Sequence, residues 1–324
     1  MTTEVQYENV GRRLPAVLLG GTRLNVNNVD EALEKSGLNW HVTKSEEPVR
    51  VPVLTGEGVT NVTFAEKFIT YRSNPNDDQM TALGVVGTDY RVIQNADAFS
   101  FLDNLVDDSG AEYVSAGSLK GGRTVYVYLK MPKTMTFAGN TDAIDTYLMV
   151  KSSHDGSKSF TATVQSLRQI CTNGLTGLVE NASFALRHTT YAAGRIAQAR
   201  DVLQLVHQYE DAFELEVQKL LSEDFNRQDF VRFIEKLVPD KISAKTEKPS
   251  KSVETTRDEL MSLWSAPTQA IVAGTKWAAY NAVAEWADWV KPVRGNRLEE
   301  IERAERNVSG LSDSIKHKAY ALLS

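Results

Sequence analysis

Residues 113–188 constrain the fold more than any other part of the chain, because their side chains alternate between apolar and polar. Residues 123–131 read RTVYVYLKM, in which every second residue is aliphatic or methionine. Successive side chains of a strand point to opposite faces, so the aliphatic face can close a core. The opposite face collects aromatic rings beside a cation: Tyr126, Tyr128 and Lys130.

Turn signals connect this strand to its neighbours in a predicted antiparallel sheet. Residues 112–119 pair with residues 123–131 across Lys120-Gly121-Gly122, a strong tight-turn signal. A third and a fourth strand, at 144–152 and 158–165, repeat the alternation around a second turn. The polar face of the sheet then also receives two side chains from the third strand: Tyr147 and Lys151.

The periodicity of the apolar residues changes at Tyr191, where a helical pattern replaces the strand pattern. Residues 191–222 predict one long amphipathic helix, and we expect this helix to mediate subunit contacts. A shorter helix is predicted at 227–237. Residues 167–179, ahead of this change, also read as helical, with glycine interruptions.

These patterns predict an α+β fold in which an antiparallel, hairpin-containing sheet packs against helices and is followed by a long helix and a helical C-terminal region. We divide the chain into an α+β core with a basic sheet face (1–190), a long and a short helix (191–240), a linker (241–252) and a helical C-terminal region (253–324). The linker is predicted because it has four lysines and few apolar residues.

The net charge of the chain is −6, but the charge is unevenly distributed. Residues 111–200 contain ten Lys or Arg and five Asp or Glu, so this segment carries +5 and the remainder −11. A local basic surface within an acidic chain is compatible with binding a polyanion. The candidates for contact with DNA are the cations and tyrosines on or beside the polar sheet face: Lys120, Arg123, Tyr126, Tyr128, Lys130, Tyr147, Lys151, Lys158, Arg168 and Arg187.

Composition favours an intracellular protein. Among 324 residues, 42% are hydrophobic, yet no apolar run approaches the roughly 20 residues of a membrane-spanning helix. The N-terminal residues lack an apolar signal core, so we expect neither secretion nor membrane insertion. Cys171 is the only cysteine, which excludes an intrachain disulfide and fits the cytoplasm.

Enzymatic chemistry finds little support in the sequence. It contains no GxxxxGK[ST] phosphate loop and no GxSxG nucleophile elbow, and its five histidines lack metal-binding spacing. Asp142 and Asp145 leave open a metal-dependent nuclease, while Cys171 reads as a small buried residue. We therefore expect no enzymatic activity and no cofactor.

Five blocks of sequence resemble one known family. They read GTDYRVIQNADAFSFLDNL (87–105), IDTYLMVKSSHDGSKSF (144–160), RQICTNGL (168–175), ALRHT (185–189) and GTKWAAYNAVAEWADW (274–289). In this order and combination they resemble the phage/plasmid-like protein family, which is built on the domain of unknown function 932. The resemblance implies an origin in a bacteriophage or plasmid and a bacterial cytoplasm, but it carries over no catalytic residues.

The order of the predicted elements is also similar, in architecture alone, to phage single-strand annealing proteins of the Red beta and RecT kind. This similarity implies a homo-oligomer, a ring or a filament, that holds a single strand in a basic groove. We therefore expect a non-enzymatic protein that binds and anneals single-stranded DNA in recombination. The alternative is a protein-interaction or scaffold protein of a mobile element that engages a host or phage protein.

Overall fold

A computed structural model describes residues 21–74, 77–179, 182–186, 192–240, 250–293, 299–311 and 313–324. The strands are β1 (Thr22–Arg23), β2 (Val42–Lys44), β3 (Val49–Thr55), β4 (Gly58–Phe64), β5 (Lys67–Asn74), β6 (Asp77–Gly87), β7 (Glu112–Leu119), β8 (Thr124–Phe137), β9 (Asp142–Ser153), β10 (Thr161–Arg168), β11 (Gly174–Leu175) and β12 (Ser183–Ala185). The helices are α1 (Val29–Lys35), α2 (Asn95–Phe99), α3 (Phe101–Ser109), α4 (Ala192–Ser222), α5 (Arg227–Leu237), α6 (Lys251–Trp264), α7 (Lys276–Glu285), α8 (Glu299–Val308) and α9 (Asp313–Leu323).

The main sheet has the strand order β1-β7-β8-β9-β10-β11, and β12 also pairs with β10. All of these pairings are antiparallel, and β7 to β10 form a meander of sequential neighbours. The predicted hairpin is confirmed: β7 and β8 are joined by a 3-10 turn at Lys120–Gly122. With its long helix and C-terminal helices, the chain has the predicted α+β fold.

Both faces of the main sheet are covered by other parts of the chain. One face carries the aliphatic residues of β8 and β9, such as Val127 and Leu148, which join a core shared with α3, α4 and α7. The other face carries a smaller buried cluster that includes Val308, the last residue of α8. The C-terminal helical region is therefore packed on the sheet.

The long helix α4 extends over 31 residues, as its apolar period predicts. Its apolar stripe, which includes Val202, Val206 and Phe213, is buried against the chain's own core. The Phe213 ring, for example, meets the Trp277 ring of α7 edge-on, with 6.4 Å between centroids. Subunit contacts through this helix remain a prediction, and its buried stripe is not available for them.

Residues 167–179 differ from the predicted helix. The strand β10 continues to Arg168, the chain then turns, and β11 pairs back with Ser166 opposite Leu175. Thr172 adopts a left-handed φ of 53°, which a helix does not accommodate. The helical spacing of apolar residues here arises because both sides of a tight strand–turn–strand unit are buried.

Two further, smaller sheets are present. One has the order β2-β5-β6, and the other is a ribbon of β3 and β4 alone. The first is held to the turn between β9 and β10, since Thr70 Oγ1 donates to the carbonyl oxygen of His154 at 2.7 Å. Tyr90 Oη also donates to the carbonyl oxygen of Ser153, at 3.1 Å.

Most helix boundaries follow from local capping. Asn226 and Asp229 form a capping box at the start of α5, which spans the predicted residues. The helix α6 begins at Lys251, inside the predicted linker, while residues 241–249 lie outside the described part of the chain. In the described ranges, no helix combines the length and apolar character that a membrane span requires.

Candidate nucleic-acid interface

Four of the predicted cations come together at one end of the main sheet. The turn from β7 to β8 and the turn from β9 to β10 both lie at this end, because the strands of a meander alternate in direction. His154 N donates to the carbonyl oxygen of Arg123 at 2.8 Å, which ties the two turns together. We call this surface the basic end, and it is formed by Lys120, Arg123, Lys151 and Lys158.

The backbone of the first turn is unusual at its lysine. Lys120, Gly121 and Gly122 have φ values of 53°, 71° and 102°. Gly122 suits this conformation, and an added Cβ would also lie close to Arg72, 3.1 Å from its Nε. For Lys120 the left-handed conformation costs about 1–2 kcal/mol relative to the right-handed one. A lysine therefore occupies an exposed position where glycine or asparagine would be less strained.

The second turn and the end of β9 together contribute one acid and two cations. Burial would raise the pKa of Asp155, but hydrogen bonds from Ser153 and Ser157 outweigh it and lower that pKa, so the carboxylate is charged. The pKa of Lys151 is lowered, first by burial and then by the charge of Lys158. Lys151 Nζ also donates to the carbonyl oxygen of Val308 at 3.3 Å, so it is only partly available.

The three other cations of the basic end are open to an anion. Lys120, Arg123 and Lys158 are exposed, and no carboxylate of the described residues forms an ion pair with them. By contrast, Lys130 at the other end of the sheet pairs with Asp145 Oδ2 at 3.1 Å. Three exposed cations without a described acidic partner thus lie at the basic end, beside the charged Asp155.

The predicted exposed face of tyrosines is wrong. Tyr126 and Tyr128 are 0% exposed and Tyr147 is 7% exposed, so none presents a ring to solvent. Tyr126 lies over Gly117 of the neighbouring strand, and Val308 is part of the same cluster. Alternation assigns these rings to the correct face, but it carries no information about α8, which covers that face. Stacking on bases, which needs an open ring face, is not available to them in this conformation.

Arg168 is also wrongly placed by the sequence prediction. It is 0% exposed, and its Nε donates to Asp142 Oδ1 at 2.6 Å. Its Nη1 donates to the carbonyl oxygen of Thr268 and to Gln269 Oε1, both at 2.9 Å. Arg168 continues the alternation of Ala162 and Val164 along β10, so its guanidinium lies on the core face and is closed to a phosphate. Arg187 lies outside the described residues.

The two aspartates of the nuclease alternative do not converge. Asp142 and Asp145 are three positions apart on β9, so their side chains leave opposite faces of the sheet. Trp277 Nε1 donates to the second carboxylate oxygen of Asp142 at 2.9 Å. Thr134 donates a hydrogen bond to Asp145, and Lys130 forms an ion pair with it. Among the described residues, no group of three His, Cys, Asp or Glu side chains is placed to hold a metal ion.

Cys171 is enclosed by the protein rather than presented to a substrate. Burial is the main cause that raises the pKa of its thiol to about 12, and the nearby Arg168 charge only partly opposes it. At neutral pH this thiol is therefore protonated and a poor nucleophile. Cys171 is a small buried residue, as the sequence predicts, and its Sγ donates to Asn173 Oδ1.

Sequence reasoning missed one cation, Arg72 of β5. Its guanidinium lies over the Trp40 ring at 5.0 Å, and its Nε is adjacent to Gly122 of the first turn. Its Nε–H is buried and donates to no hydrogen-bond acceptor among the described residues. No pattern in the sequence links Arg72 to that turn, because the contact depends on how two separate sheets dock.

Comparison with protein families matches residues 82–308 to one of them, the domain of unknown function DUF932. No curated protein matches the chain, and no solved structure does. The matched region contains the meander, the long helix and α8. It therefore includes both turns of the basic end, whereas β3, β4 and β5 precede it.

Proposed function

The chain belongs to the family of the domain of unknown function DUF932, and for this member we propose binding and annealing of single-stranded DNA without enzymatic chemistry. In this proposal it acts in recombination for a bacteriophage or plasmid, as a homo-oligomer in the bacterial cytoplasm. One observation carries the proposal: two turns of the sheet bring Lys120, Arg123 and Lys158 together, exposed and without a described acidic partner.

The chemistry of the basic end suits a phosphate backbone. Its ammonium and guanidinium groups attract phosphates of any sequence, and binding releases the counterions of the strand. Since Tyr126, Tyr128 and Tyr147 are buried, the grip is on the backbone alone. A strand held by its phosphates keeps its base edges free, and annealing requires free base edges to find a complement.

Oligomerisation would make this grip effective. A single basic end offers few contacts, so the affinity of one subunit for a strand is modest and salt-sensitive. When several subunits hold one strand, each further contact is intramolecular and the total affinity rises steeply. A ring or filament of this chain would place successive basic ends along a continuous strand.

The non-enzymatic part of the proposal is supported by the state of the reactive groups. The Cys171 thiol is buried and protonated at neutral pH. Both oxygens of Asp142 and of Asp145 accept hydrogen bonds or ion pairs from protein groups. Recruiting these carboxylates to a metal would require breaking several of those interactions.

The direct test is the affinity for a fluorescent single-stranded oligonucleotide at two salt concentrations. The variant Lys120→Gln/Arg123→Gln/Lys158→Gln removes the exposed cations. We expect weaker binding, and a slope of log affinity against log salt that falls by about 2, since each single-strand contact contributes roughly 0.7.

A matched control removes three exposed cations elsewhere: Arg227→Gln/Lys236→Gln/Lys251→Gln. It has the same net charge as the test variant, so a general charge effect would weaken both equally. Equal losses in the two variants would exclude the basic end as the binding surface. If the wild-type chain fails to bind DNA at low salt, the DNA proposal is wrong, and an interaction or scaffold role becomes the reading to test.

Annealing is tested separately from binding. Two complementary labelled strands are mixed with and without the protein, and pairing is followed by energy transfer between the labels. We expect the protein to speed up pairing of the strands without any added nucleotide cofactor. We also expect a larger particle mass when DNA is present. Binding without faster pairing would restrict the function to protection of single strands.

A further inference from the structure

Arg72 of β5 is a cation that the fold holds in place without giving it a negative partner. Its guanidinium carbon lies 5.0 Å from the centroid of the Trp40 ring, which is buried. Among the described residues, no carboxylate forms an ion pair with Arg72 and no acceptor takes a hydrogen bond from its guanidinium. This half-buried guanidinium has therefore lost part of its hydration and gained only the attraction of the ring.

The support beneath the guanidinium is tied to both turns of the basic end. Trp40 meets the His154 ring edge-on, and His154 N donates to the carbonyl oxygen of Arg123 at 2.8 Å. Thr70, two positions before Arg72 on β5, donates to the carbonyl oxygen of His154 at 2.7 Å. The strand that carries Arg72 is thus fixed to the turns that carry the exposed cations.

Arg72 also lies directly against the first of these turns. A Cβ added to Gly122 would lie 3.1 Å from Arg72 Nε and 3.3 Å from Trp40 Cζ2, so the Cα of Gly122 packs closely on both side chains. This contact encloses Nε, whereas the terminal nitrogens Nη1 and Nη2 are neither enclosed nor hydrogen-bonded within the described chain. The same turn carries two exposed cations, Lys120 and Arg123.

We propose that the terminal nitrogens of Arg72 bind one phosphate group, whose charge the cations of the first turn help to neutralise. The two N–H groups at the end of a guanidinium match two oxygens of a phosphate, and a guanidinium already held on a ring loses little entropy when it binds. A tetrahedral phosphate keeps further oxygens free for the neighbouring cations. The inference rests on the proposed function, since it takes this phosphate to belong to the DNA strand.

Arg72 gives the basic end a fixed point of contact. Lys120, Arg123 and Lys158 are exposed, so they supply charge without a set geometry. The strand β5 precedes the residues that match the family, so this contact comes from outside the matched region. Each subunit of an oligomer would then hold the DNA at one defined phosphate.

The first test uses inorganic phosphate and needs no DNA. Thermal unfolding is followed in phosphate and in chloride of equal ionic strength, because a ligand of the folded chain raises the melting temperature. We expect phosphate to raise the melting temperature of the wild type most, and Arg72→Lys to lose much of this rise, since lysine keeps the charge but lacks the fork. Phosphate also stabilises proteins without binding, and this general effect is the same in both chains.

The matched control is Arg227→Lys, which changes an exposed arginine at the start of α5 and should keep the full rise. Lys120→Gln/Arg123→Gln alters exposed side chains alone, so it tests the site even if Arg72→Lys fails to fold. We expect this double variant to lose part of the rise. Equal rises in the wild type, Arg72→Lys and the double variant overturn the proposal, as does a wild type that phosphate does not stabilise.

The second test is the oligonucleotide titration, which separates this inference from the proposed function. Arg72→Lys should weaken binding about tenfold, as expected for the loss of one hydrogen bond to a charged group. The slope of log affinity against log salt should stay the same, because the charge is kept. Unchanged affinity in Arg72→Lys overturns the inference alone. A wild type that phosphate stabilises through Arg72 but that does not bind DNA supports the phosphate site and overturns the proposed function.

Discussion

His154 is a titratable ring that the fold keeps out of water. Its Nε2 lies 2.8 Å from Asn95 Oδ1, and its ring meets that of Trp40 edge-on with 5.3 Å between centroids. Burial lowers the pKa of His154 from 6.5 to about 4, and Asp155 opposes this shift only in part. As the pH falls below 6.5, His154 therefore becomes protonated in the unfolded chain, whereas in the folded chain it stays neutral down to about pH 4.

The free energy of unfolding should consequently fall as the pH drops through this window. We expect the His154 contribution to decrease by about 2 kcal/mol between pH 7 and pH 5. Urea unfolding at both pH values measures the total change. The variant His154→Gln can still bond to Asn95 but cannot titrate, so its pH dependence should be smaller by that amount. Identical pH dependence in both proteins would assign the effect to other groups.

Lys120 combines strain with exposure, so stability and binding should respond to its replacement in opposite directions. Asparagine tolerates the left-handed conformation better than lysine does. We expect Lys120→Asn to raise the free energy of unfolding by about 1 kcal/mol while weakening the binding of the oligonucleotide. Urea unfolding and the oligonucleotide titration test the two halves, and a variant that binds DNA as tightly as wild type contradicts a functional role for Lys120.

At the scale of elements, local patterns were sufficient wherever neighbours in sequence are neighbours in space. The hairpin of β7 and β8, the long helix α4 and the bounds of α5 all follow from alternation, turn residues and caps. The tyrosine face could not be predicted in this way. Its cover includes Val308, which is 157 positions from Lys151, the residue it contacts. Periodicity reports which side chains share a face, not what lies on that face.

The contact between Gly117 and Tyr126 provides a prediction at this scale. A Cβ at Gly117 would lie 2.9 Å from Tyr126 Cζ and 3.0 Å from Gly21 Cα. We expect Gly117→Ala to lower the free energy of unfolding by about 1–3 kcal/mol through overpacking. Gly56→Ala is the control, since nothing lies within 4 Å of a Cβ there. The double variant Gly117→Ala/Tyr126→Val should lose less free energy of unfolding than the sum of the two single variants, because the smaller valine side chain makes room for the Cβ. A loss equal to that sum would contradict the contact.

At the scale of the whole molecule, a buried ion pair joins the sheet to the C-terminal helices. Asp142 and Arg168 are both 0% exposed and are also bonded to Trp277, Thr268 and Gln269. We expect Asp142→Ala to lower the free energy of unfolding by about 3–5 kcal/mol, because it leaves a buried guanidinium unpaired. Lys133→Ala, which breaks a half-exposed pair with Glu214, should cost less than about 1 kcal/mol.

A double variant separates the ion pair from the space that it fills. Asp142→Leu/Arg168→Met replaces both charges with apolar groups of similar size, so no unpaired charge remains. Urea unfolding should place it closer to wild type than Asp142→Ala. A double variant less stable than the single one would mean that the bonds of Arg168 to Thr268 and Gln269 outweigh the ion pair.

This level of organisation was beyond the sequence. Asp142, Arg168 and Trp277 lie in three separate segments, and no local sequence pattern indicates that they contact one another. The division into a core at 1–190 and a helical region at 253–324 remains a prediction, although Asp142 contacts Trp277 directly. Long-range pairing of buried polar groups is set by how finished elements dock.

The partners of this ion pair are translated long after it, and this delay affects how the nascent chain folds on the ribosome. Thr268 follows Arg168 by 100 positions, and Trp277 follows Asp142 by 135. At about 5–20 residues per second, translation of these 100 to 135 positions takes roughly 5–27 s, and during that time the sheet lacks the groups that complete its interior. During that interval Asp142 and Arg168 lack their later partners, and the sheet face with Tyr126 and Tyr128 lacks α8. We therefore expect chaperones to bind the nascent sheet until the last helices emerge.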